Sequence, residues 1–280
     1  MVKKIIKSES GVVGIVTAVL LIGLIVAVVS LVQAVYVPKW MEEREAEHMD
    51  QVVTQFAQLK SAIDTHVANE QPLISIASPI TLGSKELPYL MSLRAYGSLE
   101  ILSDSFNITI INVSNNSYVP LGTIKYSSMN GYFIDQSFIY ENGAFITNQI
   151  EGNMISMKPS FVIENVSGEN VINFSMVNII PVGGKTNGGG YGTTSILTEY
   201  HNTTPSSTDY NWTYDVTKIT INTSYTNAWE LFIRGLLDKN KIDYTYSTIG
   251  KEVKINFNNT ITVKYKIVNI NAQIGPGWVE

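Results

Sequence analysis

Three histidines, His48, His66 and His201, are the only imidazoles in the chain, and there is no cysteine. Disulfides, thiolate zinc sites and a cysteine nucleophile are therefore excluded, and a histidine-based metal centre is poorly supplied. His48 and His66 fall on a helical pattern and His201 in a polar loop. Each is expected to face solvent rather than a reacting atom. No carboxylate pair, Ser/His/Asp set or metal-ligand cluster stands out at an informative spacing, so the chain is read as a non-enzyme without cofactor or metal. Gly183-Gly184-Lys185-Thr186 looks like the end of a phosphate loop. The glycine that such a loop requires five residues before Gly184 is Ile179, however, and no helical pattern follows.

The covalent chemistry that the sequence does advertise is attachment at asparagine. Asn-x-Ser/Thr occurs at Asn107, Asn112, Asn115, Asn165, Asn173, Asn202, Asn211, Asn222 and Asn258, more often than composition alone gives. Glycosylation at such sites requires an extracytoplasmic, surface position. The 15 tyrosines could form a saccharide-stacking surface, but in a β-rich chain they read first as ordinary strand residues.

The start of the chain supplies a way to put those asparagines outside. From Val12 to Val37 there are 26 residues without a charge, and only Thr17, Ser30, Gln33 and Tyr36 carry polar groups. About 20 apolar residues suffice to span a bilayer as a helix. Lys3, Lys4 and Lys7 precede the run and a mainly acidic stretch follows it. That asymmetry predicts a cytoplasmic N-terminus, a single pass and an outer C-terminal part. The run is too long for the core of a secretory signal and no Ala-x-Ala pattern closes it. A small residue, Gly11, stands instead between the short basic leader and the run.

Beyond Pro38, which is expected to kink or interrupt the helix, the pattern turns amphipathic. Met49, Val52, Val53, Phe56, Leu59, Ile63 and Val67 recur at spacings of three and four. The predicted organisation is a leader over 1–11 and a long helix over 12–70, apolar to 37 and amphipathic from 38. An ordered connector or short-strand region over 71–98 follows, then a β-rich domain over 99–280. Within that domain "SFIYENGAFITN" reads as a hairpin with a type I′ turn at Asn142-Gly143. A helix is expected near 227–239, with Asn227 as N-cap and Trp229, Phe232, Ile233, Leu236 and Leu237 on one face. The glycine-rich stretch from Gly183 through the following Ser/Thr-rich segment reads as an exposed, mobile loop. The fold class is α+β, a long N-terminal helix packed on an antiparallel, β-sandwich-like domain. Without residues 1–38 the chain carries 16 basic and 23 acidic side chains, a net −7 that argues against nucleic-acid partners.

The leader ending at Gly11, the "VVGIVTAVLLIGLIVAVV" helix and its amphipathic continuation through "VPKWMEEREAEHMDQVVTQFAQLKSAI" resemble archaeal type IV pilins and pilin-like surface proteins. That resemblance implies a class III signal cut by a prepilin peptidase between Gly11 and Val12. It also implies storage of the subunit in membrane lipid, then bundling of the apolar helices of its own copies or other pilins into a filament core. Gly14, Ala18, Gly23, Ala27 and Ala34 would give the small surfaces for close helix approach. The mature fifth residue would be Val16, where bacterial pilins carry glutamate. The expected function is a subunit of a pilus-like surface filament for adhesion. The alternative is a single-span anchored binding or adhesion protein that does not polymerise.

Overall fold

A computed structural model describes residues 9–86, 94–166, 168–201 and 210–275, with side chains from Val12 onward. The described residues open with one helix, continuous over the 58 residues Val12–Asn69 and about 87 Å long at 1.5 Å per residue. It comprises α1 (Glu9–Leu31), a π-helical turn (Val32–Tyr36) and α2 (Val37–Asn69). Glu70, in the left-handed region at φ 51°, ends it and donates its N–H to the His66 carbonyl at 2.9 Å. Pro38 does not interrupt the helix. The Val37 N–H reaches back to the carbonyl of Val32, a π-type bond that widens the turn ahead of the proline. Proline lacks an N–H and its ring crowds the preceding turn, and the wider turn gives it room.

Thirteen strands follow among the described residues. These are β1 (Ser75–Thr81), β2 (Tyr96–Asn112), β3 (Asn116–Met129), β4 (Gln136–Glu141), β5 (Ala144–Gln149), β6 (Gly152–Met157) and β7 (Phe161–Val166). After them come β8 (Glu169–Pro181), β9 (Asn187–Gly190), β10 (Thr193–Tyr200), β11 (Asn211–Asn222), β12 (Tyr244–Ile249) and β13 (Glu252–Ile274), with α3 (Thr226–Lys239) between β11 and β12. The main path is β1-β10-β13-β11-β2-β3-β4-β5-β6. Every pair is antiparallel except β8 on β13, which runs parallel. The β4–β5 turn is as the sequence predicts: Asn142 and Gly143 both have positive φ, 48° and 78°.

Two apolar cores are built from the same long strands. One contains Phe106, Ile108, Ile172, Phe174, Val263 and Tyr265 together with Trp229, Ile233 and Leu237 of α3. The other contains Leu99, Ile124, Val177, Ile179, Val268 and Ile270 together with Met49, Val52, Phe56, Leu59 and Ile63 of α2. The β8–β13 register is unbroken from Thr262↔Val171 to Ala272↔Pro181. Along it the core positions nevertheless change parity, from Tyr265 to Val268 and from Met176 to Val177. Successive side chains alternate across a strand, so the two cores lie on opposite faces of this ladder. The β4–β5 hairpin is a shared wall, with Ile139 and Ile146 in the first core and Tyr140 and Phe145 in the second. Amides occupy the waist between the cores. Asn178 accepts the Gly122 N–H at 2.9 Å and donates to Asn269 at 3.0 Å, and Asn142 accepts the Val177 N–H at 2.9 Å.

The segment 71–98 holds β1 and the start of β2, in keeping with a short-strand region. Three expectations need correction. The glycine-rich stretch is partly sheet. A Cβ at Gly189 would lie 2.2 Å from the Tyr96 hydroxyl, so the ring of Tyr96 takes the space that this glycine leaves as β9 pairs with β2. Asn227 is not the N-cap of α3, because the helix begins at Thr226. Asn153, from β6, accepts the Ala228 N–H at 2.8 Å instead. Finally, His48 and His66 are buried rather than solvent-facing.

Candidate functional site

The region that most needs a partner is α1 with the turn that follows it. Large apolar side chains from Val12 to Tyr36 are 41–69% exposed, except for the half-buried Val32. No part of the most apolar 18-residue window is buried within the protein. By length and composition this helix could cross a membrane. Its Thr17 hydroxyl already donates to the Val13 carbonyl at 2.9 Å, which suits an apolar medium with no water to bond it. Added Cβ atoms at Gly14 and Gly23 would meet nothing within 4 Å. Ala18, Ala27 and Ala34 are exposed on the same helix. Gly11 and Val12 are helical, while the leader residues 1–8 lie outside the described residues.

From Val37 the same helix acquires a buried face that ties it to the domain. Met41 and Glu45 are fully buried side by side along it. The Glu45 carboxylate accepts three successive N–H groups, from Gly131 at 3.0 Å and from Tyr132 and Phe133 at 2.7 Å. Charge-assisted bonds of this kind hold the 131–133 turn against the helix just outside the apolar segment. Further along, α2 converges on one strand end. Gln55 accepts the Thr81 N–H at 2.8 Å and donates to its hydroxyl at 3.0 Å. His48 Nε2 donates to the Thr81 carbonyl at 3.0 Å, and His66 Nε2 donates to the Thr198 carbonyl at 3.1 Å. Burial lowers both histidine pKa values, with the carbonyl contacts and the nearby carboxylates Glu45 and Glu199 opposing it. Neutral imidazoles therefore pin α2 to β1 and β10.

The α3 half has another anchor. Glu141 is 2% exposed, and its carboxylate accepts the Trp229 indole N–H at 2.6 Å and the Thr223 hydroxyl at 2.7 Å. Burial raises its pKa to about 7, against the lowering effect of those two hydrogen bonds. Around this core lie the sequons. Asn107 and Asn112 are on β2, Asn115 is in the β2–β3 turn and Asn165 is on β7. Asn173 is on β8, Asn211 and Asn222 are on β11, and Asn258 is on β13; none is buried. Asn202 lies outside the described residues. All eight belong to stretches that build the α3 core. Asn130, Asn142, Asn178, Asn187, Asn269 and Asn271, on the α2 side, form no sequon.

Glu45, Thr81 and Glu141 escaped the sequence reading. A lone carboxylate on a helix gives no spacing signal, and its partners here are backbone groups 86 or more residues away. Among the described residues no group of three or more His, Asp or Glu could hold a metal ion. His201 is half-buried at the end of β10 and its N–H donates to the Asn269 carbonyl at 2.9 Å. A family described as a family of unknown function, DUF7289, matches residues 10–273. No curated protein and no solved structure matches the chain.

Proposed function

The chain belongs to the DUF7289 family, and from that premise we propose that it is a structural subunit of an archaeal pilus-like surface filament that serves adhesion. One observation carries the reading: a single continuous helix is bare and apolar over its first part and docked on the domain over its second. A bare apolar cylinder needs lipid or copies of itself, and a membrane subunit can exchange the one for the other. Contacts repeated head-to-tail without closing a ring generate a helical filament. Gly14, Ala18, Gly23, Ala27 and Ala34 would serve the close approach of neighbouring helices.

In this scheme a prepilin peptidase cuts between Gly11 and Val12, the N-terminus starts in the cytoplasm and the β-rich domain stands outside. The sequon distribution supports that direction, since glycans on the α3 half leave the α2 half, nearest the spine, unencumbered. Sequencing the N-terminus of the native protein and imaging sheared cell-surface material test the proposal together. A start at Val12 and filaments containing the chain are expected. An uncut leader on a monomer that stays in the membrane would overturn it and leave a single-span anchored adhesion protein.

A further inference from the structure

Beyond the end of α2, no element among the described residues covers the rest of that sheet face, and it carries a pair of exposed aromatic rings. Trp212 stands opposite Lys264 in the β11–β13 register. Lys264 shares its face of β13 with Lys266, which pairs with Glu70 at the end of α2. The rings of Trp212 and Tyr214 are 47% and 60% exposed, lie 6.2 Å apart between centroids and are inclined by only 13°. The chain builds this arrangement locally. The β11–β2 ladder begins only at Val216↔Asn112, so the aromatic stretch of β11 is paired on one side alone. Two register shifts between Thr213 and Lys218, with Asp215 at φ 54°, then re-aim the strand. Between this strand and the Val113–Asn115 turn runs an open groove of about 400 Å³.

We propose that this groove binds a neutral saccharide chain presented by another surface, with Trp212 and Tyr214 as its stacking platform. Scattered exposed apolar residues need no explanation, but two nearly parallel rings that line one groove form a surface of defined chemistry. Aromatic faces are electron-rich and attract the polarised C–H groups of a sugar ring. Two rings side by side suit neighbouring sugars in a chain. The groove walls add amide and hydroxyl groups from Asn112, Asn115 and Ser117 and the carboxylate of Asp215, matched to sugar hydroxyls. Asp215 is the one charged side chain among the lining residues, and its carboxylate disfavours anionic ligands in the groove. Lys264 sits over Trp212 at 5.1 Å and over Tyr210 at 4.1 Å, which fixes the platform's orientation. Asn112, Asn115 and Asn211 line this groove and are sequons, so the proposal requires these three to carry no glycan. This inference deepens the adhesive part of the proposed function and rests on the outward placement of the β-rich domain.

The test is calorimetric titration of the full-length protein in detergent with linear neutral hexasaccharides of the cello, malto, xylo and chito series. Binding by at least one is expected, weakened about tenfold by Trp212→Ala and similarly by Tyr214→Ala. Trp212→Phe, which keeps a ring, should retain most of the affinity. Tyr118→Ala, which removes an exposed aromatic outside the groove, should change nothing. Absence of binding across the series, or binding indifferent to Trp212→Ala, overturns the proposal. Binding seen only with protein made in a host without Asn-linked glycosylation would also overturn it, because the chain's own glycan would then occupy the groove. Filament images are unaffected by either failure, so the filament reading stands or falls separately.

Discussion

The two halves of the β-rich domain share their long strands yet are closed in opposite chemical ways. On one face α2 arrives from the apolar segment and is held by neutral histidines and a glutamine bonded to strand backbone. On the other, α3 covers the core and its Trp229 bonds a buried carboxylic group. Among the described residues one half carries no sequon, while the other carries eight. The pleat makes this possible. A strand has two faces, and a change of core parity lets one ladder serve a docking surface and an outward surface in succession.

The strongest attempt to break that division removes its aromatic centres. Trp229→Ala should destabilise by about 4 kcal/mol, and Phe56→Ala by a similar amount. Both side chains are almost fully buried, in different cores. Hydrogen exchange followed by mass spectrometry should show faster exchange in α3 and β11 for the first and in β1 and β10 for the second. Equal acceleration everywhere would make the domain one cooperative unit.

Acidity gives the next largest contrast. Glu141 titrates at about 7 in the folded protein against 4.5 for an ordinary glutamate. The folded state therefore holds an extra proton over that window. Its contribution is fully present below 4.5 and falls by about 3 kcal/mol as pH rises to 7. Urea unfolding of Glu141→Gln should lose this slope. His48 and His66 act with the other sign. Their pKa values are depressed below 6.5, so the stability they confer is present above 6.5 and is lost on acidification. Replacing both by Gln should flatten unfolding midpoints on the acid side. Exchange rates should place this effect in β1 and β10, away from Glu141. The smallest effect belongs to the half-buried Glu70–Lys266 pair, which tethers the end of α2 to β13. Lys266→Met should cost about 1 kcal/mol, confined to the last turn of α2. A larger loss would mean that the two faces are coupled through this tether.

Much of this was legible. The seven apolar positions from Met49 to Val67 pack into the α2 core, and Asn142-Gly143 forms its hairpin turn. Even the parity change left a trace, in the adjacent apolar pairs Ile267-Val268 and Met176-Val177. It reads as noise unless two cores are already in mind. The burial of His48 and His66 was not legible, because their partners are carbonyls, which every residue has. β9 was hidden for a related reason: its glycines announce a loop, while the space they must fit is set by Tyr96 and Ile274. The Trp212–Tyr214 pair shows as alternating aromatics in "YNWTY", but only the unpaired stretch of β11 makes it a surface.

The π turn ahead of Pro38 has a geometric meaning beyond relief of a clash. Each residue of an α-helix advances the azimuth by about 100°, and one wide turn resets the count for everything after it. The side of the rod that meets its neighbours and the side that grips the domain are thereby set independently. A single residue's worth of backbone between Val32 and Val37 decides which way the domain looks out from the rod.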